Sequence, residues 1–284
     1  MGEIIYGLNS FVIACTLFVS MAVVIEAGYR FGRARAGTAG EAPRTHIHAI
    51  LASLLGVLAL LLGFTFSLAL QRYDSRSQSV VDEANAIGTT YLRAQLWPVS
   101  VRGDIQKLLQ SYLNIRVEAG SITIDRHDAI NEHLLRANEQ LDALWSKARV
   151  AAEEDPNPAT TGLFIQSLNE AIDSYGRREA ALSRHVPEVI SFLLFVTLLI
   201  SGGTIGYAAG VASQRPALAT YSLIAIIIMV VFIIIDLDRP RRGLIRVDQS
   251  SLVQLRTAID AAQAAGNQAT VPAQLPRPAV TGRR

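Results

Sequence analysis

Apolar residues run through four long windows of the chain and do not alternate with polar ones. The windows cover residues 4–25, 49–71, 189–214 and 216–235, and none contains Asp, Glu, Lys or Arg. A helix rises 1.5 Å per residue, so about 20 apolar residues cross a hydrocarbon core of about 30 Å. Because only helices and closed barrels satisfy their backbone in lipid, the pattern predicts four transmembrane helices. The third is expected to end at residue 211, before a tight turn.

Polar segments separate the predicted spans. A basic loop is expected over residues 26–48, and a mostly helical soluble domain over 72–185. Within that insert, apolar residues at three- and four-residue steps predict helices over 74–97, 101–119 and 125–154. A further helix should be capped by Thr160 or Thr161, and residues 121–124 are the one short strand candidate. A basic collar and amphipathic segment should occupy 236–265, with Leu252, Leu255 and Ile259 on one face, and a disordered tail 266–284.

Composition supports a membrane protein. Half of the chain is hydrophobic, only 18% is charged, and the mean hydropathy is +0.30. The predicted fold class is therefore all-α: a four-span integral membrane protein with a helical domain between spans 2 and 3. Cys15 is the single cysteine, which excludes a disulfide framework within the chain. Without a nucleophile motif or a basic surface, we expect no enzyme, catalytic residue, cofactor, metal site or nucleic-acid partner.

The arginines give conflicting signals about orientation. Four span ends share the side of the insert, and nine arginines lie near them, against five near the two short loops. By the positive-inside rule this count favours a cytoplasmic insert in a multi-pass protein of the cell (inner) membrane. The first span alone favours the reverse, because its four nearby arginines follow it into the loop.

Two sets of residues near the membrane have structural interpretations. Gly202, Gly206 and Gly210 repeat every four residues, which places them on one helix face and predicts close helix packing, within or between subunits. A collar of three arginines follows span 4 and could bind lipid phosphates or small anions, or pair with Asp236 and Asp238. Its members are Arg239, Arg241 and Arg242.

Span 2 carries a candidate constriction. Leu60, Phe64 and Leu68 lie on one face at four-residue steps, with Thr65 and Ser67 between them. Such a face could line a hydrophobic neck that gates by dewetting in an oligomer, or it could be a packing face.

The same span resembles the second transmembrane helix of bestrophins, which are pentameric anion channels with four spans per subunit. The matching residues are Leu62-Gly63-Phe64 and Arg72-Tyr73-Asp74. Residues 1–260 more closely resemble a bacterial membrane family with a bestrophin-like domain, through the stretches 81–89 (VDEANAIGT) and 237–246 (LDRPRRGLIR).

The resemblance implies an anion-conducting pore whose neck contains Leu60 and Phe64. A third neck position would be Gly56, where glycine departs from the bulky apolar pattern. The acidic calcium-binding segment of the eukaryotic channels has no counterpart here. The leading hypothesis is a homo-oligomeric, bestrophin-like chloride channel in the lipid bilayer, passing halides or other small anions. The alternative is a non-conducting scaffold or sensor whose insert binds a ligand or partner.

Overall fold

The computed structural model describes residues 10–36, 41–97, 99–122, 127–154, 157–216, 218–239 and 244–264, and these form helices without strands. Eight α-helices are present in this part of the chain. In order they are α1 (Ser10–Arg35), α2 (Glu41–Ala94), α3 (Val99–Ser121), α4 (His127–Glu154), α5 (Leu163–Ser183), α6 (Glu188–Val211), α7 (Leu218–Leu237) and α8 (Ser250–Ala264). A π-helical turn, Pro158–Gly162, precedes α5.

Four of the helices are long and apolar enough to cross a membrane, as predicted. The helical stretches that qualify are Phe11–Arg35, Thr45–Ala94, Ala159–Val211 and Leu218–Leu237. Within them, the uncharged windows of the sequence fall in α1, the first half of α2, α6 and α7. The described residues divide into two compact units. The described residues of the membrane unit lie within 1–73 and 185–245, and those of the insert unit lie within 74–184 and 246–284.

The helix boundaries differ from the predicted ones around the first two spans. The expected loop 26–48 is wrong over much of its length, because α1 continues to Arg35 and α2 begins at Glu41. Span 2 and the first helix of the insert are one helix of 54 residues. Polar residues mark the end of the apolar window at Arg72, but neither glycine nor proline occurs there to interrupt the backbone hydrogen bonds.

The start of α5 is also organised differently from the prediction. The residue at its N-cap position is Gly162, not Thr160 or Thr161. The side-chain cap belongs to the preceding π-helical turn, where the side chain of Asn157 accepts a hydrogen bond from the backbone nitrogen of Ala159 at 2.9 Å. No strand forms in the described part of the candidate 121–124, because α3 continues through Ser121. Residues 123 and 124 lie outside the described part.

The insert unit has its own hydrophobic core. Residues of α2, α3, α4, α5 and α8 contribute to it, including Ile87, Leu109, Leu144 and Phe164. Three residues of α8 are buried in the same core, namely Leu252, Leu255 and Ile259, which are the face expected from the sequence. The segment after span 4 thus completes the core of the insert unit.

The membrane unit is packed through apolar side chains of all four spans. Met21, Ile25, Leu58, Leu198 and Val231 are among the residues buried there. The turn between α6 and α7 places Ser213 at a φ of 54°, in the left-handed region. The nitrogen of Gln214 donates to the carbonyl oxygen of Ala209 at 3.0 Å, which closes the carboxyl end of α6.

Candidate functional site

The neck candidates lie on an outer face of the membrane unit. Leu60 and Phe64, one helical turn apart on α2, are 58% and 62% exposed. A Cβ atom added at Gly56 would meet no atom within 4 Å. The hydroxyl of Thr65 is turned inward and donates to the carbonyl oxygen of Leu61 at 2.7 Å. Around Gly56, Leu60 and Phe64 this face is therefore exposed in the described part of the subunit, whereas Leu68, one turn further along it, is partly buried and packs against the core that contains Ala69 and Ile234.

The three predicted packing glycines lie against α1 of the same chain. A Cβ at Gly206 would be 2.1 Å from the carbonyl oxygen of Ile25, and one at Gly210 would be 2.2 Å from that of Tyr29. At Gly202 the nearest atoms would belong to the flexible side chain of Met21. The contact is therefore backbone to backbone, and only glycine permits it at Gly206 and Gly210.

Glycines of α1, which sequence reasoning missed, complete this contact. A Cβ at Gly28 would be 2.3 Å from the carbonyl oxygen of Gly203, and one at Gly32 would be 2.3 Å from that of Tyr207. Gly28 and Gly32 have the same four-residue spacing as the glycines of α6. That shared spacing is the signal that would have paired the two helices.

The basic collar is only partly within the described residues. Arg239 is 3% exposed, which does not suit a contact with lipid headgroups, and Arg241 and Arg242 lie outside the described part. The neighbouring carboxylates accept hydrogen bonds from backbone nitrogens. Asp236 accepts from the nitrogen of Ile245 at 2.8 Å, and Asp238 accepts from the nitrogen of Val186 at 3.0 Å.

A cluster of buried charges lies in the insert unit, centred on the carboxylate of Glu83, which is 0% exposed. The Arg116 Nε atom donates to its Oε1 at 2.6 Å, and Arg178 donates to its Oε2. The hydroxyl of Tyr112 donates to Oε1 at 3.0 Å. One carboxylate of α2 therefore binds α3, through two residues, and α5.

An outer shell of partners surrounds the two guanidinium groups. Arg116 donates to Glu179 at 3.0 Å, and its guanidinium lies 4.7 Å from the ring centroid of Tyr175. Arg178 donates to the Gln249 Oε1 atom at 2.7 Å. Two arginines and two glutamates balance in charge, which is the condition for keeping such groups buried.

Electrostatics keep this cluster ionised. Burial raises the pKa of Glu83, but the positive charges of Arg116 and Arg178 outweigh that effect and lower it below its usual range. Burial, reinforced by the charge of Glu83, raises the pKa of Tyr112 well above 10. The tyrosine therefore stays protonated near neutral pH and remains a donor to the carboxylate. The cluster is suited to holding helices together, because its polar atoms are engaged with one another.

A polar cleft of about 630 Å³ lies elsewhere on the insert unit, between α2 and α5. Asp82, Asn85, Thr89 and Arg93 line it from α2. Gln166, Glu170 and Arg177 line it from α5, where Arg177 and Glu170 form an exposed ion pair. Groups of both charge signs face this cleft. Across the described residues, no group of three or more His, Cys, Asp or Glu side chains could hold a metal ion.

Comparison with known proteins identifies the family. A family model for the bestrophin-like domain matches residues 15–252. The chain belongs to the bestrophin-like family. The resemblance inferred from the sequence is thus confirmed, and with the four candidate spans it makes the chain a membrane protein.

A solved structure shares the fold of this bestrophin-like chain. It is a crystal structure of a membrane protein that superposes with a TM-score of 0.61 at 16% sequence identity, covering 91% of this chain and 100% of the other. At that identity the likeness concerns the fold alone. Among curated proteins, none matches the bestrophin-like chain.

Proposed function

We propose that this bestrophin-like chain is a subunit of an oligomeric chloride channel of the cell (inner) membrane. Leu60 and Phe64 on α2 would form its hydrophobic neck. The observation that carries the proposal is that both side chains are exposed on one face of a spanning helix. Both are more than half exposed in the described part of the subunit, so they are available to face a pore formed by several copies.

Physical considerations favour an assembly over a pore within one subunit. Four spans are too few to enclose a wide pore, so copies of α2 would surround it. Anions would pass the apolar side chains of Leu60 and Phe64, where dewetting stops conduction when the neck is narrow. Gly56 would leave the preceding turn wide, so the constriction would depend on the two bulky residues. The helical insert, placed on the cytoplasmic side, would form the vestibule.

Halide efflux from liposomes containing the purified full-length protein tests this proposal. Phe64→Ala removes an exposed aromatic ring from the proposed neck and should raise basal efflux above that of the wild type. The matched control is Phe192→Ala on α6, because Phe192 is 68% exposed and lies outside the proposed neck. Its efflux should equal that of the wild type.

The outcomes separate the proposal from its alternatives. Efflux raised by Phe64→Ala alone supports a neck on α2. Equal efflux from both variants and the wild type, in a conducting preparation, would refute the assignment of Phe64. Efflux no greater than from empty vesicles, with folded and oligomeric protein, would refute the channel itself.

The alternative function is a non-conducting membrane sensor whose insert binds a ligand, and the polar cleft between α2 and α5 is the observation that favours it. Reporter fusions within the insert distinguish the two functions by locating it on one side of the membrane. A periplasmic insert, together with an absence of efflux, would favour the sensor. A cytoplasmic insert with halide efflux would favour the channel.

A further inference from the structure

A shallow groove of about 350 Å³ runs along the membrane unit between α1 and α6. Its lining residues are Gly28, Phe31, Ile200, Gly203, Thr204 and Tyr207. The groove forms because Gly28 and Gly203 let the two backbones approach closely, while the larger side chains of Phe31, Ile200 and Tyr207 form its walls. The hydroxyl of Thr204 donates to the carbonyl oxygen of Ile200 at 2.9 Å, so it does not interrupt the apolar surface.

A positive charge lies one helical turn beyond the last α1 residue that lines the groove. The guanidinium of Arg35 lies 4.5 Å from the ring centroid of Phe31, which itself lines the groove. The Phe31 and Tyr207 rings are 5.9 Å apart between centroids, so an aromatic pair and a cation mark one end. Arg35 is the last residue of α1, and Tyr207 lies one turn before the end of α6. At 1.5 Å per residue, Ile200 lies about 10 Å deeper along α6 than Tyr207.

We propose that this groove binds an anionic phospholipid, with an acyl chain between α1 and α6 and the phosphate at Arg35. The groove lies on spanning helices, so its surroundings are hydrocarbon, and the charge at its end complements a phosphate. A planar guanidinium binds phosphate oxygens in pairs, and the ring of Phe31 holds that guanidinium in place. This site is separate from the proposed neck on α2 and does not depend on ion conduction.

The nearest competing explanations are ordinary lipid contact and contact with a second copy of the chain. Ordinary lipid contact would show no preference for headgroup charge. A contact between copies would change the oligomeric state when the groove is filled. Both explanations therefore predict results that differ from those of a specific lipid site.

Native mass spectrometry of the full-length protein in detergent tests the proposal, with phosphatidylglycerol and phosphatidylcholine added in equal amounts. The wild type should retain phosphatidylglycerol preferentially. Arg35→Gln should reduce that preference about fivefold, which corresponds to about 1 kcal/mol for one basic residue near an anionic surface. The matched control is Arg33→Gln, because Arg33 is an exposed arginine in the same last turn of α1 but on another face. It should leave the preference unchanged.

A second pair of variants tests the apolar part of the site. Ile200→Trp fills the groove and should lower retention of phosphatidylglycerol. The matched control is Ile226→Trp, which introduces the same ring on α7 at a residue that is 61% exposed, compared with 54% for Ile200. It should leave the retention of phosphatidylglycerol unchanged. Circular dichroism establishes that all four variants are folded.

Three results would overturn the proposal. The first is equal retention of the two lipids by the wild type, which indicates ordinary lipid contact. The second is an equal effect of Arg33→Gln and Arg35→Gln, which indicates a diffuse charge effect. The third is an altered subunit number in Ile200→Trp, which indicates that the groove is an interface between copies.

Discussion

Replacing Glu83 by glutamine removes the negative charge on which the buried cluster of the insert unit is centred. The substitution is close to isosteric, so it tests charge with little change in packing. Arg116 would keep its bond to Glu179, which is 26% exposed. Arg178 would donate to two neutral oxygens, the Gln249 Oε1 atom and the amide oxygen of the new glutamine. The substitution therefore leaves a guanidinium that is 5% exposed without a carboxylate partner.

The expected loss follows from these remaining contacts. Removing one partner of a buried ion pair costs about 3–5 kcal/mol. The amide oxygen of glutamine can still accept a hydrogen bond, and Arg116 retains a carboxylate, so the lower end applies. We expect Glu83→Gln to reduce the free energy of unfolding of the insert unit by about 3 kcal/mol.

Tryptophan fluorescence measures this effect selectively in the full-length protein. Both tryptophans, Trp97 and Trp145, belong to the insert unit, and Trp97 is buried against Phe164 with ring centroids 5.4 Å apart. The matched control is Glu170→Gln, because the Glu170–Arg177 pair is exposed and should contribute at most about 1 kcal/mol. Equal urea midpoints for the wild type and Glu83→Gln would refute the reasoning.

Acidification tests independently whether the charge of Glu83 stabilises the insert unit. The pKa of Glu83 is lower in the folded protein than in the unfolded chain, where a glutamate titrates near 4.3. The stability contributed by its charge is therefore complete above about pH 4.3 and is lost as the pH falls through the lower folded value. The difference in stability between the wild type and Glu83→Gln should have its full value at pH 7 and should decrease as the pH falls below about 4.3. A difference that stays constant from pH 7 to about pH 3 would contradict the prediction.

Three further substitutions have defined expectations. Tyr112→Phe deletes a hydrogen bond to the buried carboxylate and should cost the insert unit about 1.5–3 kcal/mol in the same fluorescence assay, whereas an unchanged midpoint would count against that bond. Gly206→Ala drives a methyl group into the carbonyl oxygen of Ile25 and should reduce the free energy of unfolding by about 1–3 kcal/mol, seen as a lower thermal midpoint, whereas Gly63→Ala, in open space, should leave the midpoint unchanged. Ser213→Gly relieves a left-handed backbone and should stabilise the α6–α7 turn by about 1 kcal/mol; a lower thermal midpoint would argue against strain there.

Hydrophobic patterning predicted the four spans and the apolar face of α8, because both depend on local sequence. Length and the absence of charge are sufficient for a spanning helix, and Leu252, Leu255 and Ile259 repeat at helical steps. The same reasoning failed at the junction of span 2 and the insert. A change from apolar to polar residues alters what surrounds a helix but does not end it. A helix ends where residues that disfavour the helical backbone, such as glycine or proline, occur.

The buried charge cluster was missed for a different reason. Arg76, Glu83 and Thr90 repeat every seven residues on α2, and all three are at most 1% exposed. They share a face with apolar residues such as Val80 and Ile87. Polar residues at helical spacing suggest a solvated face when the sequence is considered alone. The partners of Glu83, Arg116 and Arg178, are 33 and 95 residues away from it, beyond any local pattern.

The packing of the membrane unit leaves the proposed neck residues of α2 exposed. Helices in lipid associate through close packing, since lipid is as apolar as their side chains. The glycines of α1 and α6 provide such packing, whereas Gly56, Leu60 and Phe64 of α2 are exposed in the described part of the subunit. Phe64 and Phe192 are similarly exposed in one subunit, so lipid alone would treat them alike. A difference in halide efflux between their alanine variants would therefore arise from the assembled protein, with copies of α2 arranged around a common pathway.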